Sequence, residues 1–350
     1  LTTSRTDPSR GADMAGRNSL FGPVNPALDA GYADPPPRKG FFTDTSVCIG
    51  CKACEVACKE WNLLPGGEEF DLLGMSYDNT GGLGANSWRH VAFIEQQRPA
   101  PTDLGMPGYG PPAPTGGQAA STPGTAPPGD AASQDVLGDL AAGGDGPLMA
   151  DEDGAQADFR WLMSSNVCKH CTHAGCLDVC PTGALFRTEF GTVVVQDDVC
   201  NGCGYCVAAC PYGVIERRRG PQGALNVGIA QKCTLCYDRL GDGLTPACAQ
   251  ACPTESIQYG DVDELRERAE RRRAELHEQG VAEARLYGHD PDDGVGGTGA
   301  FFLLLDEPEV YGLPPDPVVP TKDLPQMFNR ASAAAGALLL GAALAFLGKR

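Results

Sequence analysis

The chain has 350 residues, 42% of them hydrophobic and 7% aromatic, with 46 Gly and 29 Pro, enough for about two folded domains mixed with irregular chain. A formal net charge of −18 argues against a nucleic-acid partner, because phosphate binding needs clustered Lys and Arg. The dense basic spot Arg217, Arg218, Arg219 is expected to be a solvated loop rather than a docking site for an acidic partner.

Residues 1–40, rich in Gly, Pro, Ala and Asp, read as a flexible N-terminal arm. They hold no charged stretch followed by an apolar run and a small-residue cleavage site, and no twin-arginine pair. The chain opens on Leu1, and Met14 is another candidate start. Residues 41–97 carry CIGCKACEVAC (48–58) and then SWRHVAFIEQ (87–96), which has the look of a strand. From 98 to 158 the composition collapses into Pro, Gly, Ala, Ser and Thr, too little apolar surface to offset ordering entropy, and a disordered insertion is expected.

Order resumes at FRWLMSSNVCKHC (159–171), and short β-rich runs such as TVVVQ (192–196) follow. Residues 261–287 read as a charged surface helix with Leu265, Ala269 and Leu276 as sparse apolar points. GVGGTG (294–299) lacks a following helix and a downstream ribose-binding acid, so it reads as a loop, and AFFLLLDE (300–307) as a buried strand. ASAAAGALLLGAALAFLG (331–348) has no charge over eighteen residues and just reaches the lower limit for a bilayer span. Its place near the end of the chain and the flanking Arg330, Lys349 and Arg350 favour a membrane anchor over a buried or tail helix. Lys322 and Arg330 before it balance Lys349 and Arg350 after it, so charge chooses no orientation.

All 16 cysteines fall into four groups of four. These are Cys48, Cys51, Cys54, Cys58; Cys168, Cys171, Cys176, Cys180; Cys200, Cys203, Cys206, Cys210; and Cys233, Cys236, Cys248, Cys252. Pro181, Pro211 and Pro253 follow the last three groups. A [4Fe–4S] cubane needs four thiolates, and a C-x2-C-x2-C loop wraps three corners from one tight turn. The fourth cysteine, three residues on, is expected to start a helix, point away and ligate the other cluster of a pair. Gly50, Gly202 and Gly204 let backbone N–H groups approach the sulfurs. Disulfides fit poorly with cysteines spaced so closely in series, and zinc sites use two pairs rather than four thiolates in eleven residues.

Nineteen residues separate Cys180 from Cys200, against 109 between Cys58 and Cys168, so groups two and three are expected to pair, with one and four pairing around them. Pairing three with four is open too, since 22 residues separate Cys210 from Cys233. His170 and His173 lie inside the second loop, where four cysteines already suffice, and surface or supporting roles are expected for them. No catalytic residue is assigned, because no Ser/His/Asp or paired-carboxylate arrangement stands out.

CIGCKACEVACKEWN (48–62), CKHCTHAGCLDVCPTGAL (168–185), CNGCGYCVAACPYGV (200–214) and KCTLCYDRL…PACAQACPTESI (232–257) together resemble the iron–sulfur (beta) subunit of membrane-linked formate dehydrogenases. That subunit belongs to the four-cluster electron-transfer group of molybdopterin enzymes. The likeness continues through GVGGT (294–298) and YGLPPDP (311–317), although the long Pro/Gly-rich insertion departs from the family pattern. The resemblance implies one cluster on Cys48, Cys51, Cys54 and Cys252 and a second on Cys58, Cys233, Cys236 and Cys248. It implies a third on Cys168, Cys171, Cys176 and Cys210 and a fourth on Cys180, Cys200, Cys203 and Cys206.

The fold expected is α+β: two ferredoxin-like dicluster modules with irregular loops, plus a C-terminal apolar helix. One module takes residues 41–97 and 231–318 and the other 159–230, with 319–350 as linker and anchor. The implied partners are a molybdopterin catalytic (alpha) subunit and an integral-membrane quinone-reducing subunit, and the implied role is electron transfer without bond chemistry of its own. The same wire in a hydrogenase or an oxyanion or sulfur reductase, and a zinc-held scaffold, are the alternatives.

Overall fold

The computed structural model describes residues 25–66, 77–78, 80–98, 158–220 and 225–347. Most of the stretch expected to be disordered, 98–158, and the first part of the arm lie outside the described residues. In chain order the elements are α1 (Pro26–Asp29), β1 (Lys39–Asp44), α2 (Ala53–Trp61), β2 (Arg89–Arg98) and β3 (Asp158–Val167). Next come α3 (Gly175–Asp178), β4 (Leu185–Arg187), β5 (Val193–Val195), α4 (Tyr205–Ala208), β6 (Glu216–Arg217) and β7 (Ala230–Gln231). Then follow α5 (Tyr237–Gly241), α6 (Ala247–Gln250), β8 (Ile257–Asp261), α7 (Val262–Glu278), β9 (Arg285–Tyr287), β10 (Ala300–Leu304) and α8 (Leu324–Leu347). The fold is therefore mixed α and β.

KGFFTD, buried along almost its whole length, suits a strand covered on both faces, and β1 sits inside a four-stranded sheet ordered β8-β1-β10-β9. It runs antiparallel to β8, with Phe41 opposite Tyr259, and parallel to β10, with Phe42 opposite Phe301. Successive strand residues face opposite sides. Phe42, Phe301 and Leu303 therefore pack under α7 with Val262, Leu265, Ala269 and Leu276. Phe41 turns the other way into a core that holds Cys54, Cys58, Cys168, Cys233 and Cys248. The sheet is the wall between a surface helix and the cysteines.

The charged helix ends earlier than its charge pattern suggests. It stops at Glu278, Gly280 takes φ +87°, and 285–287 form β9 instead. A glycine that accepts the left-handed conformation at no steric cost ends a helix efficiently. The arginine run also differs from expectation. Arg219 is 87% exposed at its side chain, but Arg218 is buried and donates to Ala85 O at 3.2 Å and Asn86 Oδ1 at 3.0 Å. Just past the short pairing of β6 with β7, Arg218 N also donates to Ile229 O at 2.9 Å.

Residues 95–160 form a unit of their own, described only at its ends, where Arg160 Nη2 donates to Gln96 Oε1 at 2.7 Å. β2 and β3 pair as a two-stranded ribbon. Within α8, Met327–Leu347 is 21 residues with a mean hydropathy of 1.7 and none of it buried, long and apolar enough to cross a membrane.

Candidate functional site

The four cysteine groups share one local build. The third cysteine of each, Cys54, Cys176, Cys206 and Cys248, is the second residue of a helix: α2, α3, α4 and α6 respectively. Just before the second cysteine the backbone is left-handed in every group, at Gly50 (φ 64°), His170 (45°), Gly202 (70°) and Leu235 (59°). Only two of these are glycines, so the strained turn belongs to the loop rather than to one residue type. The turn aims main-chain N–H groups at sulfur: Gly50 N–H bonds Cys48, and Leu235 N donates to Cys233 Sγ at 3.3 Å. At Gly202 a Cβ would lie 2.5 Å from Gly228 O, so glycine is required there on contact grounds as well.

The helices bring the groups together in two pairs, α2 against α6 and α3 against α4. Cys48, Cys51, Cys54 and Cys252 line one hollow, together with Val91, Ser165 and Ser256. Cys168, Cys171, Cys176 and Cys210 line another, with Lys169, Val193 and Tyr212. Cys233, Cys248 and Cys236 neighbour Cys58 and, adding to burial, push its thiol up, and Cys200, Cys203 and Cys180 do the same to Cys206. Across the boundaries between these sets, Cys54 neighbours Cys248, Cys233 neighbours Cys168, and Cys176 neighbours Cys206.

All sixteen thiols are free of disulfides. Burial, reinforced by neighbouring thiols, pushes Cys54 and Cys236 up to about 11 and Cys176 and Cys233 to about 12. It holds Cys58 and Cys171 far above the ordinary thiol range. Cys180 goes the other way: burial raises it, but the amides of Leu185, Thr182 and Ala184 and the Thr182 hydroxyl outweigh that. Four thiols crowded around a hollow all become thiolates when a metal cation joins them. The donor set and the two hollows thus fit an iron–sulfur cube.

Sequence reasoning missed the groups around the sulfurs. Ser165 Oγ lies 3.2 Å from Cys54 Sγ, and Asn62 Nδ2 lies 3.7 Å from Cys58 Sγ. Three cations, Arg89, Lys169 and Lys232, are buried among the cysteines. Lys169 Nζ donates to Val167 O at 2.9 Å and to Asn166 Oδ1; Lys232 Nζ donates to Cys233 O at 2.9 Å and to Val193 O. Burial pulls Lys169 down to about 7 against the opposing pull of Cys168, Cys171 and Cys210. Lys169 and Lys232 adjoin cysteines in sequence, a signal that could have found them; Arg89, 31 residues past Cys58, carries no such signal.

The two histidines take supporting places. His170 Nδ1 accepts from Val193 N at 3.1 Å, and burial, then the Lys232 charge, keeps its ring neutral. His173 N donates to Val295 O at 2.8 Å. The GVGGTG loop is a loop, and it braces the second cysteine group. Thr172 N donates to Gly297 O at 3.0 Å, and Cys171 bridges Thr298.

A family model described as a 4Fe-4S dicluster domain matches residues 159–262. The chain is 34% identical over 280 residues to a formate dehydrogenase iron-sulfur subunit of Haemophilus influenzae, covering 79% of this chain and 68% of that one. It is 33% identical over 282 residues to the nitrate-inducible formate dehydrogenase iron-sulfur subunit of Escherichia coli K12, covering 79% and 73%. One polypeptide of the anaerobic dimethyl sulfoxide reductase of Escherichia coli K12 matches at 30% over 229 residues, 65% of this chain and 76% of that one. With its crowded thiol sets and these relatives, the chain belongs to the family of formate dehydrogenase iron–sulfur subunits, electron-transfer proteins that carry [4Fe–4S] clusters.

Proposed function

We propose that four [4Fe–4S] clusters lie in single file, held in turn by Cys48/Cys51/Cys54/Cys252, Cys58/Cys233/Cys236/Cys248, Cys168/Cys171/Cys176/Cys210 and Cys180/Cys200/Cys203/Cys206. The observation that carries this is the run of thiol neighbours across set boundaries, Cys54 to Cys248, Cys233 to Cys168 and Cys176 to Cys206. The reading makes two ferredoxin-like modules, supported by the packing of α2 on α6 and of α3 on α4. Bound there, the clusters supply one-electron storage and exchange. The chain's own work is to hold the thiols at fixed separations, exclude water from them and set the charge around them. Phe41, Val91, Val167 and Leu235 insulate the middle of the row. Cys51 and Cys203, in the two end sets, are the exposed cysteines, which suits electron entry and exit at the ends.

In this reading the electrons come from a molybdopterin catalytic (alpha) subunit that oxidises formate and leave toward a quinone-reducing membrane subunit. The more extensive match to formate dehydrogenase subunits than to the sulfoxide reductase polypeptide supports formate. α8 anchors the chain in the bilayer, supported by its length, hydropathy and complete exposure. Cys203→Ser tests the route. In the anaerobic complex, formate-driven quinone reduction should fall at least about tenfold. Reduction of a dye at the catalytic subunit should persist. Quinone turnover at the parent rate would take Cys203 off the path.

A further inference from the structure

We propose that Arg89 is a counter-cation shared by the first two clusters of the row, a positioning residue that raises the reduction potential of both. This role rests on the ligand sets proposed above. Arg89 opens β2 and is 1% exposed. Its Nη1 donates to Ser165 O at 3.3 Å and Ser165 Oγ at 3.0 Å, and its guanidinium carbon stands 4.9 Å from the centre of the Phe41 ring. The remaining donors, Nε and Nη2, are buried with no hydrogen-bond partner among the described residues.

A buried guanidinium is costly unless something anionic faces it. The anion-forming groups around Arg89 are thiols: Cys248, Cys54, Cys233 and Cys58. Cys54 belongs to the first proposed set and the other three to the second, so one cation serves two sites. Ser165 ties the arrangement to sulfur, since the hydroxyl that accepts from Arg89 also lies 3.2 Å from Cys54 Sγ.

A thiolate-ligated cube carries net negative charge and gains one more on reduction. A fixed positive charge in a low-dielectric interior therefore stabilises the reduced form more than the oxidised one. Arginine keeps its charge at any working pH, so this bias is permanent rather than pH-gated. Lys169 and Lys232 differ, because their ammonium groups donate to backbone carbonyls, Val167 O and Cys233 O, each at 2.9 Å.

The test is a potentiometric EPR titration of the full chain, purified without oxygen, as parent, Arg89→Gln and Arg89→Lys, with iron counted in each. Arg89→Gln should keep its iron and lower two of the four midpoints by at least a tenfold change in reduced-to-oxidised ratio, about 59 mV for a one-electron couple. The other two should stay in place, and Arg89→Lys should restore most of the loss. Unmoved midpoints in an iron-replete Arg89→Gln overturn the proposal, as does a Lys variant that falls as far as the Gln variant. If Arg89→Gln is iron-poor, an iron-replete Arg89→Lys with parental midpoints still supports the charge role. Iron loss in both variants makes Arg89 a packing residue and overturns it. A parent chain lacking four clusters would instead remove the ligand sets beneath the proposal.

Discussion

A thiol buried beside three others resists ionisation, and Cys58 and Cys171 carry that resistance furthest here. Metal ligation must therefore displace protons from these thiols, and a bound cation then offsets the repulsion between the thiolates. Glycine enters at this scale through Gly202, which combines φ +70° with a carbonyl 2.5 Å from any added Cβ. Gly183 has a similar φ, +67°, but open space around it. Gly183→Ala should cost about 1–2 kcal/mol of stability through backbone strain alone and leave iron content intact. Gly202→Ala must also displace the Gly228 backbone and should lose iron from the fourth cluster, held by Cys180, Cys200, Cys203 and Cys206; equal iron in the two variants would contradict this. The cysteine groups proposed as ligands are legible in the sequence, because C-x2-C spacing reflects a chemical demand that acts along the chain. Arg89 and Ser165 were not, because their proximity to Cys54 exists only after β2 and β3 pair.

Among the elements, short helices do the positioning. α3, α4 and α6 each span four residues, too short to stand alone, and each starts one residue before a cysteine. Their existence follows from the loops rather than from helix propensity, and the expectation that the fourth cysteine starts a helix fails: each begins just before the third cysteine, and Cys180, Cys210 and Cys252 lie past the helix ends. The sheet was legible in part. AFFLLL announced a buried strand, and β10 covers Ala300–Leu304. That it lies parallel to β1, more than 250 residues earlier, follows from no local pattern. α7 was overextended because its charge pattern continues past Gly280, where the backbone turns left-handed. α8 is the element whose role is most easily removed. Deleting residues 331–350 should move the chain from the membrane fraction to the soluble fraction. Unchanged sedimentation with membranes would count against anchorage by this helix.

Across the molecule, the chain places its first and last cysteine groups together and its middle groups together, so a linear sequence of four motifs becomes a nested arrangement. In the sequence, 19 residues between Cys180 and Cys200 favour a local pair and 109 between Cys58 and Cys168 do not. The single-file order needs the tertiary neighbours Cys233 and Cys168, which join the inner pair to the outer one. A relay in that order demands that each cluster feel the next. The direct test is iron analysis and EPR of the full chain, isolated and reduced without oxygen. The account predicts about sixteen irons per chain, four for each cube, with four spins whose signals are broadened by coupling to their neighbours. An iron-free chain, or four magnetically isolated signals, would contradict it.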